Sequence, residues 1–266
     1  MLSKEILNFA KENHCSTALE KVLQYHLESL TLNHLDALGV RYITPFFLIS
    51  MGRDADAYNF IKWWSNDQYN VEYKWYTLPM LTSTDEFFSA LPKHNMYKDL
   101  FQSLRNPSKG IPFKYLVALL LLKLKIFTEY KTRRFELQIF SSALKGSAYE
   151  LVLRSEPFMD LLRKYVFGTV PVKLLEEQQH HVEKYLNLVS EVNPLFLKAL
   201  ICPGPIMSKK CPRSCLQREG SPEEVRRILE ECLDLFQAIP GGIDVIRERI
   251  GHVEMYDCNM HFVDYW

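Results

Sequence analysis

An unbroken apolar run over residues 116–122, LVALLLL, sits between Lys114 and Lys123, with Lys125 just beyond. It falls far short of the roughly 18–20 residues that cross a bilayer. A helix that is apolar on every side survives in water only when other elements cover it all round. Pro112 opens this helix, so the rest of the chain must supply its cover.

Amphipathic cover recurs on both sides of the run. Apolar positions return at helical spacing in Leu19, Val22, Leu23, Leu27 and Leu30, and again in Ala57, Phe60, Ile61 and Trp64. A longer face runs through Leu174, Gln178, His181, Val182, Tyr185, Leu186 and Val189, and another through Val225, Ile228, Leu229, Cys232, Leu233 and Phe236. Punctuation separates these stretches. Thr17 with Glu20 and Ser83 with Glu86 have capping-box spacing. Thr44-Pro45 reads as an N-cap and first helical position, and Ser221-Pro222-Glu223-Glu224 as the clearest helix start. Gly52 closes one helix and Asp54 caps the next. A short helix is expected to carry Met96, Tyr97, Leu100, Phe101 and Leu104, and a separate one Phe135, Ile139, Phe140 and Ala143. Residues 66–82 read as an aromatic loop. Only 10 glycines leave few places for hairpin turns or phosphate loops. The expected fold is all-α, with stacked antiparallel helical hairpins over residues 1–106 and a C-terminal helical subdomain over 107–266, joined as one continuous unit.

Residues 46–64, FFLISMGRDADAYNFIKWW, resemble the middle of a tetratricopeptide hairpin, with Gly52, Asp54 and Ala57 at its turn, cap and small-residue positions. That resemblance implies a TPR-like α-solenoid. No second copy stands at the 34-residue period such arrays use, which leaves an irregular helical array as the other form. The GRDADAYNFIKWW block, the LVALLLLKLK and HHVEKYLNLVSEVN helices and the SPEEV segment resemble uncharacterised eukaryotic helical proteins, some with a MYND-type zinc finger. The paired C-x-x-C spacing of that finger is absent, so the resemblance implies a scaffold without catalytic residues.

Lys plus Arg and Asp plus Glu both total 32. Without a cationic excess to neutralise phosphates, no nucleic-acid partner is expected. The opening residues MLSKEILNFAKENH are charged early and have no continuous apolar core, unlike a signal peptide. The six cysteines therefore read as reduced thiols of an intracellular protein, cytoplasmic or nuclear, without a membrane partner.

Cys202, Cys211 and Cys215, with Cys232 downstream, are the candidate zinc thiolates. Structural zinc sites pair their ligands at short spacing, which these cysteines lack, and unligated thiols are the simpler reading. Glu177 and His180 have the Glu-x-x-His spacing of di-iron bundles, but no second copy exists. His180 and His181 point about 100° apart on a helix, placing His181 at the apolar border and His180 in solvent. No cofactor is expected, and no nucleophile, phosphate-loop or dinucleotide motif occurs.

The densest aromatic stretch holds Tyr58, Phe60, Trp63, Trp64, Tyr69, Tyr73, Trp75 and Tyr76. Such rings pack hairpins together or line a groove that grips a peptide. Arg53 and Lys62 add charge suited to a partner carboxylate. The candidate partner-binding set is thus Arg53, Tyr58, Lys62, Trp63, Trp64 and Trp75. Two basic groups, Lys131/Arg133/Arg134 and Lys209/Lys210/Arg213/Arg218, read as surface charge or as a site for an acidic peptide or phosphate. The expected function is a protein–protein interaction scaffold that holds a peptide or partner helix between hairpins. The alternative is a helical enzyme or ligand-binding domain with a buried pocket near His181, Tyr185 and the 116–122 helix, marked by ionisable groups converging in an enclosed cavity.

Overall fold

The computed structural model describes residues 16–32, 36, 39–65, 84–100, 111–144, 172–208 and 219–251. Among these residues the chain is all-α, with ten helices and no strand. They are α1 (Ser16–Leu32), α2 (Val40–Ser50), α3 (Asp54–Ser65), α4 (Thr84–Ala90), α5 (Phe113–Leu144), α6 (Val172–Val192), α7 (Pro194–Ile201), α8 (Gly204–Met207), α9 (Pro222–Gln237) and α10 (Gly242–Ile250). Among the described residues no helix is long and apolar enough to cross a membrane.

The 116–122 run lies in α5, and none of its residues is more than 1% exposed. Helices α2, α3, α6, α9 and α10 all pack against α5, supplying the cover that an all-round apolar helix requires. One apolar core extends from Leu23 in α1 to Ile246 in α10. The separate helix expected around Phe135 does not form. Residues 123–134, KLKIFTEYKTRR, hold neither Gly nor Pro, so nothing interrupts the ladder and one 32-residue helix results. It is about 48 Å long, and its C-terminal half extends past the fully buried run.

Helix α2 begins earlier than Thr44-Pro45 suggests. Gly39, at φ 66°, turns the chain into the helix, and the Asp36 carboxylate accepts from the Val40 and Arg41 amides at 2.8 and 3.2 Å. Pro45 therefore sits inside the helix, where its missing N–H releases the Arg41 carbonyl. The buried Tyr115 hydroxyl of α5 donates to that carbonyl at 3.3 Å. Gly52, at φ 72°, makes the turn into α3, where Asp54 occupies the first helical turn and pairs with Lys125 of α5 at 2.6 Å.

The later helix starts follow their sequence signals. Asn193 caps α7 through Leu195 N at 3.2 Å, and Ser221 caps α9 through Glu224 N at 3.2 Å. The Glu224 carboxylate accepts from Gly220 N at 2.9 Å and from Asn193 Nδ2 at 3.1 Å. One carboxylate thus joins the first turns of α7 and α9. At Gly242 a Cβ would lie 2.9 Å from the Ile239 side chain and 3.2 Å from Leu124, so α10 meets α5 where a side chain has no room.

Candidate functional site

Residues 91–100 connect α4 onward as an irregular strap. Of the short helix expected from Met96 to Leu104, the described portion, 96–100, is not helical. Side chains from three helices take its carbonyl oxygens. Tyr58 of α3 donates to Lys98 O at 2.9 Å, and Lys62 of α3 to Leu100 O at 2.9 Å. Lys123 of α5 donates to Met96 O at 2.6 Å and Lys98 O at 2.7 Å. Gln178 of α6 donates to Tyr97 O at 2.6 Å, and Asn59 accepts from His94 N at 2.8 Å. Carbonyls held this way do not serve a helix ladder, and each main-chain group needs only one good partner. Leu91 and Leu100, both buried, plug the two ends of the strap.

Asp99 ties the strap to α6, ion-paired with Lys184 and accepting from the Tyr185 hydroxyl at 3.0 Å. The Lys123 ammonium is completely enclosed. Burial lowers its pKa to about 8, against the opposing pull of Asp99 and Glu177. It lies 5.5 Å from the centre of the Tyr58 ring, a cation–π distance. Burial, reinforced by the Lys123 charge, takes His181 down to about 4, so it is neutral at pH 7, and its buried Nδ1 has no hydrogen-bond partner among the described residues. Burial first and Asp99 second push the Tyr58 and Tyr185 hydroxyls above their ordinary range.

Those candidate partner-binding residues that lie among the described residues, Arg53, Tyr58, Lys62, Trp63 and Trp64, make contacts within the chain. Arg53 bonds Asp56 at 2.8 Å and Asp85 at 3.0 Å, with its guanidinium 4.8 Å from the Phe88 ring centre, and so fastens α3 to α4. Tyr58 and Trp64 are buried, and Trp63 is half-buried with its ring edge-on to Trp64 at 4.8 Å. Trp75, with Tyr69, Tyr73 and Tyr76, lies outside the described residues, as do Cys211 and Cys215. Cys202 and Cys232 are not disulfide-bonded. Among the described residues no three His, Cys, Asp or Glu side chains gather as a metal site would need. His180 is exposed and His181 buried.

The C-terminal half of α5 carries a different feature, a trough built from adjoining cavities. The first, about 600 Å³, lies between Thr128, Lys131, Thr132, Arg134 and Phe135 of α5, Leu175 of α6, and Pro240, Gly241 and Val245. A second, about 530 Å³, adjoins it against Ile49 and Ser50 of α2 and Leu235 and Ile239. Thr128, Thr132 and Pro240 border both. A third, about 380 Å³, shares Lys131, Leu175 and Val245 with the first and ends on Val182 and Leu186 of α6. Phe135 stands on the rim with 61% of its surface exposed.

No known family, characterised protein or solved structure matches this chain. Chemistry alone separates the two regions. The groups around Asp99 converge, but they close on main-chain carbonyls of the chain itself. The trough is concave and unfilled by the described residues. In the sequence its only signals were the Lys131/Arg133/Arg134 group and a phenylalanine directly after it. Its walls come from α2, α6 and the α9–α10 turn, segments up to about 190 residues apart, and no local pattern links them.

Proposed function

We propose that this protein is an interaction scaffold, an irregular array of stacked helical hairpins that holds a peptide or partner helix in the trough along the C-terminal half of α5. The observation carrying the reading is adjacency: neighbouring cavities share lining residues along the C-terminal half of α5. Leu175 and Val245 give it apolar surface, and the exposed Phe135 ring is a ready anchor, the kind of residue that dominates partner energetics. From Lys125 to Phe135 the helix rises about 15 Å, a span that accepts a helical or extended segment of modest length. The enzyme reading has less support, because the ionisable groups near His181 and Tyr185 already serve the 91–100 strap.

The test places a photo-crosslinking amino acid at Thr132 in the full chain, expressed in cells, with Tyr25 of α1, 53% exposed, as the control position. Adducts formed from position 132 and absent from position 25 are expected, and Phe135→Asp removes them. Identical adducts from both positions, or adducts indifferent to Phe135→Asp, refute the trough as the partner site.

A further inference from the structure

Resting on the trough reading, we propose that the bound segment is acidic, with carboxylates seated between Lys131 and Arg134 and apolar side chains lying further along the channel. Among the described residues, the lining of the first cavity includes those two cations and no carboxylate. Most acids close to that part of the trough are already engaged. Glu129 pairs with Arg133, Asp54 with Lys125, and Asp244 with Arg247. Those pairs cancel locally and leave the charges of Lys131 and Arg134 facing the cavity. Gly241 lines the same wall and brings no side-chain cap to α10, whose first turn holds Asp244 paired with Arg247.

The channel also has a polarity. Its far end, on α6 and α10, carries Glu183 and Glu248 as well as Arg249. A carboxylate is therefore favoured near Gly241 and gains nothing at the α6 end. The zero net charge of the whole chain hides this local asymmetry, which arises because α5 brings Lys131 and Arg134 to a wall without acids among the described residues.

The test uses the full chain and labelled amphipathic dodecapeptides with Leu and Phe at helical spacing and Glu, Gln or Lys at the polar positions, followed by fluorescence anisotropy at low and at high salt. Two exposed ion pairs at the upper end of their usual strength predict roughly thirtyfold tighter binding of the Glu peptide than of the Gln peptide at low salt. Screening closes that gap at high salt. The double variant Lys131→Glu/Arg134→Glu reverses the order, so that the Lys peptide binds best, while its circular dichroism and melting curve show that the fold is kept. Equal binding of the Glu and Gln peptides, both abolished by Phe135→Asp, overturns the acidic preference and leaves the trough standing. Binding of no peptide, or binding indifferent to Phe135→Asp, overturns the trough and the preference together. A dimer of the unliganded chain that Phe135→Asp dissociates assigns the trough to a second copy and overturns the proposal as well.

Discussion

Replacing Lys123 by methionine removes an ammonium that the core encloses completely while keeping most of the side-chain volume. In the folded protein its pKa is about 8, against 10.5 in the unfolded chain. That difference of about 2.5 units disfavours the charged form by about 3 kcal/mol at neutral pH. The sign follows from proton counts. Between pH 8 and 10.5 the unfolded chain holds more protons than the folded one, so raising the pH stabilises the fold. Below pH 8 the whole penalty is present, and by pH 9.5 roughly 1.5 kcal/mol of it has been relieved. Loss of the ammonium orphans Met96 O, at a cost of about 1–3 kcal/mol, whereas Lys98 O keeps the Tyr58 hydroxyl. Near pH 7 the two effects offset each other, and K123M lies within about 2 kcal/mol of the parent. The assay is urea unfolding of both proteins from pH 7 to 9.5, below the tyrosine range. The parent should gain about 1.5 kcal/mol on K123M between pH 8 and 9.5. A stability difference that stays flat across that interval refutes the account of Lys123 as a charge held against its burial.

Three further outcomes follow from local geometry. His26 and His181 are both lowered to about 4 by burial, so each contributes stability above pH 6.5 that is lost as the pH falls towards 4. Each loss reaches up to about 2.5 kcal/mol by pH 4.5, and His181→Leu should remove roughly half of the acid sensitivity in urea titrations. Gly242→Ala drives a methyl group into Ile239 and Leu124 and should cost about 1–3 kcal/mol; Gly52→Ala, strained by φ 72° but facing open space, should cost about 1–2 kcal/mol, both read from thermal melts. Glu224→Ala releases Gly220 N and Asn193 Nδ2 together and should cost about 1–2 kcal/mol, with hydrogen exchange rising in the first turns of both α7 and α9.

Much of the secondary structure was legible because its determinants lie within a few residues of each other. The Ser221 cap, the Gly52 turn and the faces of α3, α6 and α9 sit where spacing placed them. Three readings went astray for a common physical reason. The start of α2 depends on Asp36 and on Tyr115, which receives no hint from Thr44-Pro45. The union of two expected helices into α5 depends on the absence of a breaker, which carries less weight in a sequence than a shift of apolar phase. Residues 96–100 have helical spacing, yet lose their carbonyls to Tyr58, Lys62, Lys123 and Gln178. Two of the chosen partner-binding residues, Tyr58 and Lys62, are part of that grip, and Arg53 braces α4. Residue type correctly marked them as hydrogen-bonding and stacking groups. It carried no information on whether their ligand would be another molecule or the chain's own main chain.

Taken alone, the sequence determined that this protein is helical and that residues 116–122 lie at its centre, because the 3.6-residue period, the caps and the burial demand of an all-round apolar segment are local properties. Only the tertiary structure decided that a lysine enters the core, that the 91–100 strap replaces a helix, and that an open trough with two unopposed cations flanks α5. Those features depend on partners 25 to 86 residues apart in the strap contacts and further apart around the trough, and at such separations the order of residues says nothing about which groups meet.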